Sequence, residues 1–245
     1  MNPDIIQTRN LSKHYGGVRA VDNLALNIEQ GKITGIVGPN GSGKSTLVNL
    51  LSGMTVPSAG LIVIDGVKRE GIDAPETPAY GITRTFQEIR LFEQMPVLDN
   101  VLVALTKRSV LGAIFERNSD LHLQKAHEVL SKVGLLEKRN ALAHDLSYGQ
   151  RKLLEVARAL AMNAEIYLLD EPFAGLFPEM VRTIVGIIKE LRTHGKTVIL
   201  IEHNMELIRE LSDKVIVMDS GKLLAEGRAE EVLHRRDVVE AYLGE

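Results

Sequence analysis

The sequence predicts an α/β fold whose core is a mostly parallel β-sheet with helices on both faces. Three observations support this prediction. Short apolar runs typical of buried strands alternate with segments of helical periodicity. Strands that alternate with helices favour a parallel sheet, because the helices cover the two faces of that sheet. A glycine-rich turn at residues 38–46 joins one of these strands to the helix that follows it.

The first part of the chain supplies strands on either side of that turn. Residues 24–28 alternate apolar and polar side chains before a Gln-Gly pair, which predicts a strand and a turn. Ile33–Val37 is an apolar run that ends at a glycine, as expected of a buried strand that enters a loop. Leucines at helical spacing follow at residues 47–51, and residues 61–64 form another predicted strand between two glycines.

Residues 100–140 differ in character from the rest of the chain. An amphipathic helix is predicted around residues 126–133, and no convincing strand pattern occurs in this region. The elements predicted after it are a strand at 166–169, a helix at 180–191, a strand at Thr197–Ile201, and a hairpin formed by 215–218 and 222–225.

Composition limits the classes of function. The 245 residues are 44% apolar and 25% charged, which is ordinary for a globular protein. A net charge of −3 argues against nucleic acid as the main partner, because duplex binding needs a basic surface. The absence of cysteine excludes disulfides, and the longest apolar runs are shorter than the ~20 residues of a membrane span. Any work at a membrane is therefore expected to proceed through a partner.

The glycine-rich turn matches the Walker A pattern of phosphate-binding loops. Its glycines let backbone N–H groups converge on phosphate oxygens, and the following helix adds its N-terminal dipole. Lys44 is expected to reach the β- and γ-phosphates, and Ser45 to offer its hydroxyl to Mg²⁺. The residues predicted to bind the nucleotide here are Gly38, Asn40, Gly41, Ser42, Gly43, Lys44, Ser45 and Thr46.

Two carboxylates follow the apolar run at 166–169, Asp170 and Glu171. The strand brings Asp170 to the sheet edge beside the phosphate loop, where it is expected to hold Mg²⁺. Glu171 points differently from its neighbour and is expected to orient or deprotonate a water aimed at the γ-phosphorus. Together with the loop, this pair predicts a P-loop NTPase.

Further motifs give the chain a resemblance to the ATP-binding subunits of ABC transporters. The pentapeptide Leu146-Ser147-Tyr148-Gly149-Gln150 resembles the signature sequence of that family, with tyrosine at the variable third position. Gln87 resembles the Q-loop glutamine, His203 the switch histidine, and Tyr15 the aromatic residue that stacks on adenine. These motifs occur in the order expected of the family and extend over nearly the whole chain.

The resemblance implies a P-loop NTPase fold of the ABC ATPase type, with a mostly parallel core sheet, an antiparallel β subdomain and a helical subdomain. It implies one domain over residues 1–245, with the helical subdomain inserted at roughly 95–160. The implied cofactors are ATP and Mg²⁺. The implied catalytic residues are Glu171, His203 and Gln87, and the implied metal-binding residues are Ser45, Gln87 and Asp170.

The resemblance also implies that one chain forms only part of each active site. Two subunits, either identical chains or a chain and its paralogue, pack head to tail around two ATP molecules. Ser147, Gly149 and Gln150 of one subunit then close over the nucleotide held by the other. ATP holds this dimer together, and hydrolysis weakens it. The alternative interpretation of the pentapeptide is an ordinary helix N-cap at Ser147.

Phe177 departs from the family pattern. Many members carry Ser-Ala-Leu-Asp at this point and closer relatives carry Ala-Gly-Leu-Asn, whereas this chain has Ala174-Gly175-Leu176-Phe177. A phenyl ring cannot make the polar contact expected there, near the dimer interface. We hypothesise that the ring packs across that interface. Altered communication between the two sites is the alternative.

Four segments, residues 81–92, 97–101, 171–176 and 240–244, look like those of ATPase subunits of high-affinity branched-chain amino-acid importers. Subunits that serve urea, short amides or lipopolysaccharide export are similar enough to compete. The implied partners are a second ATPase subunit and polytopic membrane permease subunits, with no nucleic acid. The implied location is the cytoplasmic face of the cell membrane, as a peripheral protein. The segment after Gln87 is either a groove for a short helix of the membrane subunit or a core-facing loop.

Two other functional classes compete with transport. Soluble ABC-type ATPases that act on nucleic acid or ribosomes usually carry two nucleotide domains or a long coiled coil. This chain has one phosphate loop and no sustained heptad pattern. A nucleotide-dependent scaffold without catalysis is disfavoured by Glu171 and His203, and only Phe177 favours it. The transported substrate is not specified by this chain, because other subunits bind the cargo.

Overall fold

The computed structural model describes residues 4–105 and 119–243, which divide into two compact units. The first unit contains residues 4–84, 165–171 and 188–243, and the second contains 85–105, 119–164 and 172–187. The assignment of one domain over 1–245 with a helical insertion at 95–160 stays a prediction. Across the described ranges, no helix combines the length and the apolar character needed to cross a bilayer.

The strands all belong to the first unit. In the described chain they are β1 Asp4–Tyr15, β2 Val18–Glu29, β3 Ile33–Val37, β4 Ala59–Ile64, β5 Val67–Arg69, β6 Ile82–Arg84, β7 Ile166–Asp170, β8 Thr197–Ile201, β9 Lys214–Asp219 and β10 Lys222–Gly227. One sheet has the order β10-β9-β3-β8-β7-β6, and within it only β10 runs antiparallel to its neighbour. This arrangement confirms the mostly parallel core sheet.

The central strands of this sheet deliver their carboxyl ends to one edge. β3, β7 and β8 are buried along their whole length, as apolar strands inside a covered sheet should be. The parallel register pairs Ile36 of β3 with Ile201 of β8, and Ile201 with Asp170 of β7. The loops that follow these three strands therefore start side by side, which is where ligands bind in open α/β sheets.

The second sheet is antiparallel, with the order β2-β1-β4-β5. The sequence patterns did not predict β1, β5 or β6. The alternation of β1 is interrupted near Asn10, which has a φ of +51° and lies at register shifts against both β2 and β4. β5 and β6 have three residues each, too few for a periodicity to appear. The two sheets and the helix after the phosphate loop share one buried apolar core.

The described second unit is mainly helical, and the first unit also contains helices. The α-helices of the described residues are α1 Lys44–Leu51, α2 Val97–Leu105, α3 Ser119–Lys132, α4 Tyr148–Ala161, α5 Pro178–Thr193, α6 Met205–Leu211, α7 Ala229–Val232 and α8 Arg236–Leu243. In the second unit, α2, α3 and α4 pack against one another through buried residues such as Val101, Leu130 and Leu154. No strand occurs in the described part of residues 100–140, as expected.

Candidate active site

The phosphate loop begins where β3 ends and runs into α1, over residues 38–46. Gly41 and Gly43 have φ values of +81° and +98°, a region that residues with a Cβ rarely adopt. A Cβ at Gly43 would also overlap the backbone oxygen of Ala20. Because Gly43 is the N-cap residue of α1, no capping side chain covers the first N–H groups of that helix. The turn therefore combines the backbone shape and the helix dipole of a phosphate cradle.

Lys44 is the first residue of α1 and is 6% exposed. Its ammonium donates to two carbonyls of its own loop, at 2.8 and 2.9 Å, and to the Ser42 hydroxyl at 3.4 Å. Burial lowers the pKa of Lys44, and the charges of Glu171 and Asp170 act in the opposite direction. An anion bound in the loop would likewise favour the charged ammonium.

Asp170 is the last residue of β7 and is 1% exposed. Its Oδ2 atom accepts a hydrogen bond from Nη2 of Arg84 at 3.0 Å, and the two side chains form a buried ion pair. Arg84 is the last residue of β6, the strand beside β7. The sequence analysis assigned no individual role to Arg84, although it lies within the segment 81–92.

Glu171 has a φ of +47°, which is uncommon for a residue other than glycine. Its N–H donates to the carbonyl of Ile201 at 3.0 Å, so the turn after β7 is tied to the end of β8. Its Oε1 atom lies 3.1 Å from Nε2 of His203. Behind the histidine, the buried carboxylate of Glu202 accepts the backbone N–H of His203 at 3.0 Å. The two predicted catalytic side chains of the first unit are therefore in direct contact.

Tyr15 ends β1 with 49% of its surface exposed. The ammonium of Lys13 lies 5.0 Å from the centre of the ring, within the range of a cation–π contact. The same ammonium donates to the carbonyl of Val56 at 2.8 Å, which fixes its position. An exposed ring with such a support is suited to stacking on a planar base.

The signature pentapeptide lies in the second unit and starts α4. Ser147 Oγ accepts the N–H of Gln150 at 3.3 Å, while Gln150 Oε1 accepts the N–H of Ser147 at 3.1 Å. This is a capping box, so the N-cap interpretation of Ser147 holds. A hydroxyl has one proton and two lone pairs, so accepting this bond leaves its proton for another acceptor. Capping the helix and binding a phosphate oxygen are therefore compatible.

Gly149 and Tyr148 connect the start of α4 to the segment before α5. A Cβ at Gly149 would overlap the sulfur of Met180, so glycine is needed there for close helix packing. The ring of Tyr148 lies against Gly175, where a Cβ would come within 2.9 Å of the ring. Gly175 has a φ of +71°, and Phe177, two residues later, is 74% exposed. An exposed aromatic surface, Tyr148 and Phe177, thus accompanies the signature motif.

The chain around Gln87 is held by a row of charged side chains on α4. Lys152 donates to the carbonyl of Gln87 at 3.1 Å, and Glu155 accepts the N–H of Phe86 at 3.0 Å. Arg158 donates to the carbonyl of Arg90. Lys152 and Glu155 are 2% and 4% exposed, which is rare for charged residues. Burial raises the pKa of Glu155, while hydrogen bonds from backbone N–H groups and the charge of Lys152 oppose the rise.

The predicted site residues are divided between the two units. The first unit holds Tyr15, Gly38, Asn40, Gly41, Ser42, Gly43, Lys44, Ser45, Thr46, Asp170, Glu171 and His203, and the second holds Gln87, Ser147, Gly149 and Gln150. The sequence patterns did not identify three charged residues that contact these groups or the chain beside them, Arg84, Glu155 and Glu202. For Glu155 and Glu202 the sequence offered one signal, a charged residue directly after an apolar run, whereas Arg84 is flanked by threonines and offered none.

A family model described as ABC transporter matches residues 21–174. The chain belongs to the ABC transporter family. It is 37% identical over 254 aligned residues to the high-affinity branched-chain amino acid transport ATP-binding protein LivG of Salmonella typhimurium and of Escherichia coli, with 100% of each chain covered. The same values hold for the protein BraF of Pseudomonas aeruginosa, which carries the same description.

Solved structures of ATP-binding cassettes share the fold. A nucleotide-free cassette from an ABC transporter superposes with a TM-score of 0.87 at 33% identity, covering 99% of this chain and 100% of the other. A cassette in its ADP conformation gives 0.86 at 34% identity, covering 99% of both chains. A dimeric bacterial cassette gives 0.82 at 29% identity, covering 91% and 98%. These similarities confirm the predicted ABC ATPase fold.

Proposed function

We propose that this chain is the ATP-binding and ATP-hydrolysing subunit of a membrane importer for branched-chain amino acids. The observation that carries the proposal is the placement of Lys44, Asp170 and the Glu171–His203 pair after three adjacent parallel strands. The full-length similarity to ATP-binding proteins of branched-chain amino acid transport supports the choice of cargo.

Each residue of the first unit has a defined task in this proposal. The loop N–H groups and Lys44 bind the β- and γ-phosphates, which take the place of the loop carbonyls that Lys44 contacts. Glu171 accepts a proton from the attacking water. His203, 3.1 Å from the carboxylate of Glu171, holds that group in place. The ring of Tyr15 stacks on the adenine.

The oxygen donors near the loop fit a Mg²⁺ ion. Asp170 supplies a carboxylate at the end of β7, and Ser45 supplies an exposed hydroxyl in the first turn of α1. Within the described residues, no three His, Cys, Asp or Glu side chains cluster as a metal cage. Mg²⁺ suits such a site, because it keeps several waters and is usually held by one or two carboxylates plus phosphates. When bound, it would neutralise charge on the phosphates. The role of Gln87, in the second unit, as a metal ligand stays a prediction from the family resemblance.

The second unit supplies residues for a neighbouring subunit. Ser147 directs its hydroxyl proton, and α4 its N-terminal N–H groups, to the γ-phosphate held by the other chain. Gly149 and Gln150 shape this helix start through close packing and the capping box. ATP then joins two subunits head to tail, and loss of the γ-phosphate removes the contacts.

The proposed place of work is the cytoplasmic face of the membrane, in a complex with permease subunits. A direct test is ATP turnover by the purified chain, measured as released phosphate, with Glu171→Gln as the inactive variant. Glu171→Gln should abolish turnover and yield an ATP-dependent dimer in size-exclusion chromatography. A wild-type chain without turnover, in the presence of its permease subunits and Mg²⁺, would refute the enzymatic proposal.

The cargo is tested separately in liposomes that contain the chain, its permease subunits and the substrate-binding protein. We expect ATP-dependent uptake of radiolabelled leucine. Uptake of urea or a short amide without uptake of leucine would reassign the cargo while leaving the ATPase function intact.

A further inference from the structure

We propose that Glu202 is a positioning residue for ATP hydrolysis, because its buried carboxylate holds the turn that presents His203 to Glu171. This inference deepens the proposed function and rests on it, since it concerns the same catalytic pair. The motifs of the sequence assign Glu202 no role of its own. In this proposal it acts through the backbone of His203 and not on the nucleotide.

The turn between β8 and α6 is short. β8 ends at Ile201 and α6 begins at Met205, with Asn204 as its N-cap, so that only Glu202 and His203 join the strand to the helix cap. The side chain of Asn204 accepts two N–H groups from the first turn of α6, at 3.0 and 3.3 Å. The N–H of His203 lies before this cap and needs another acceptor.

The carboxylate of Glu202 is that acceptor. Its Oε2 atom accepts the N–H of His203 at 3.0 Å and, at a longer distance of 3.4 Å, the N–H of Asn204. Glu202 is 6% exposed. A carboxylate away from water must be hydrogen-bonded to be tolerated, and the bonds that it accepts from N–H groups are charge-assisted. The buried carboxylate and the turn around it therefore stabilise each other.

The catalytic pair depends on this turn mainly on the histidine side. Glu171 follows β7 directly, its N–H is bonded to the carbonyl of Ile201, and its side chain is 19% exposed. The imidazole of His203 is 45% exposed, so packing holds the ring weakly. The distance of 3.1 Å between Nε2 of His203 and Oε1 of Glu171 is therefore set by the backbone that carries the ring. Without Glu202 that backbone loses its side-chain acceptor, and the ring can move away from the carboxylate.

The test compares two substitutions of similar size in the chain bound to its permease subunits, with released phosphate measured over a range of MgATP concentrations. Glu202→Met has no carboxylate acceptor, so kcat should fall by about 10–100-fold, as expected when a catalytic group is misplaced by about 1 Å. The KM for ATP should change by less than about threefold, because the lost alignment matters in the transition state. Glu202→Gln keeps an acceptor oxygen and should stay within about threefold of the wild-type kcat.

Further measurements separate positioning from a general loss of structure. The matched control is Glu210→Ala, because Glu210 lies on α6, half exposed and paired with Lys189. This control should keep the wild-type kcat. Thermal melts identify variants that fail to fold, and Glu202→Ala takes the place of the methionine variant if that one does not fold. Amide hydrogen exchange, measured by NMR, should be slow at the N–H of His203 in the wild type and faster without the carboxylate.

Three results would overturn the inference. One is a wild-type kcat in a folded methionine or alanine variant at Glu202. Another is an equal fall in kcat in the glutamine and methionine variants, because the glutamine retains the acceptor oxygen. The third is an unprotected N–H of His203 in the wild type, which would mean that this bond does not hold the turn. A wild-type complex without ATP turnover would instead refute the proposed function, and this inference with it.

Discussion

Replacing Glu155 by alanine should destabilise the protein by about 3 kcal/mol and loosen the chain around Gln87. The buried carboxylate accepts N–H groups from Phe86, at 3.0 Å, and from Arg90. Truncation leaves the part-buried N–H of Phe86 and the N–H of Arg90 without this acceptor, and an unsatisfied donor out of reach of water costs about 1–3 kcal/mol. The buried ammonium of Lys152 also loses a negative neighbour. Removing an unfavourably buried carboxylate returns part of this loss, which sets the net value near 3 kcal/mol.

The assay combines urea denaturation at pH 7 with hydrogen exchange, measured by mass spectrometry, on peptides that cover residues 86–90. Glu155→Gln keeps one acceptor oxygen and should lose about half as much stability as the alanine variant. Glu128→Ala serves as a control, because Glu128 lies on the surface of the same unit, half exposed and paired with Lys125. The control should change stability by less than about 0.5 kcal/mol.

The stability contributed by Glu155 should also depend on pH. Burial raises the pKa of Glu155 above its ordinary value of 4.5, so the unfolded chain releases this proton first. The stability advantage of wild type over Glu155→Gln should therefore be largest below pH 4.5 and decline as pH rises through the raised pKa. A Glu155→Ala variant with wild-type stability and wild-type exchange at 86–90 would refute the reasoning.

Three further predictions concern single side chains. Ser147→Ala should remove the helix cap and lower stability by about 1 kcal/mol, whereas Ser147→Asp should keep the cap but abolish the ATP-dependent dimer, as size-exclusion chromatography would report. Phe177→Asn should weaken that dimer by about tenfold or more, because burial of an aromatic ring contributes about 1.5–3 kcal/mol; a stronger dimer with faster ATP turnover would contradict interface packing of the ring. Burial raises the pKa of Tyr242 to about 12, while a hydrogen bond from the backbone of Gly38 acts to lower it. In an ultraviolet titration, Tyr242→Phe should therefore remove one tyrosine from the most alkaline part of the curve. Tyrosinate formation there should destabilise the wild type increasingly between pH 10 and 12.

Local sequence patterns predicted the elements that are buried without interruption. β3 and β8 have the predicted bounds, Ile33–Val37 and Thr197–Ile201. Short apolar runs flanked by turn residues are typical of buried strands and too short for most helices. β1 was missed although it has 12 residues. Its bulges shift the side chains from one face to the other, so that the alternation expected of a strand is lost near Asn10.

In the candidate site, too, local motifs predicted some residues and missed those whose partners are distant in the sequence. Phosphate binding requires consecutive N–H groups, so its residues occur at a fixed local spacing that a motif can describe. The partners of Arg84 and Glu155 are set by the fold instead: Asp170 lies 86 residues from Arg84, and Phe86 lies 69 residues from Glu155. Glu155 is buried in α4 and shares a helix face with Lys152 and Arg158. A charge at such a position indicates that a partner exists, because its burial alone is unfavourable. The identity of that partner follows only from the packing of α4 against the chain near Gln87, which no local pattern encodes.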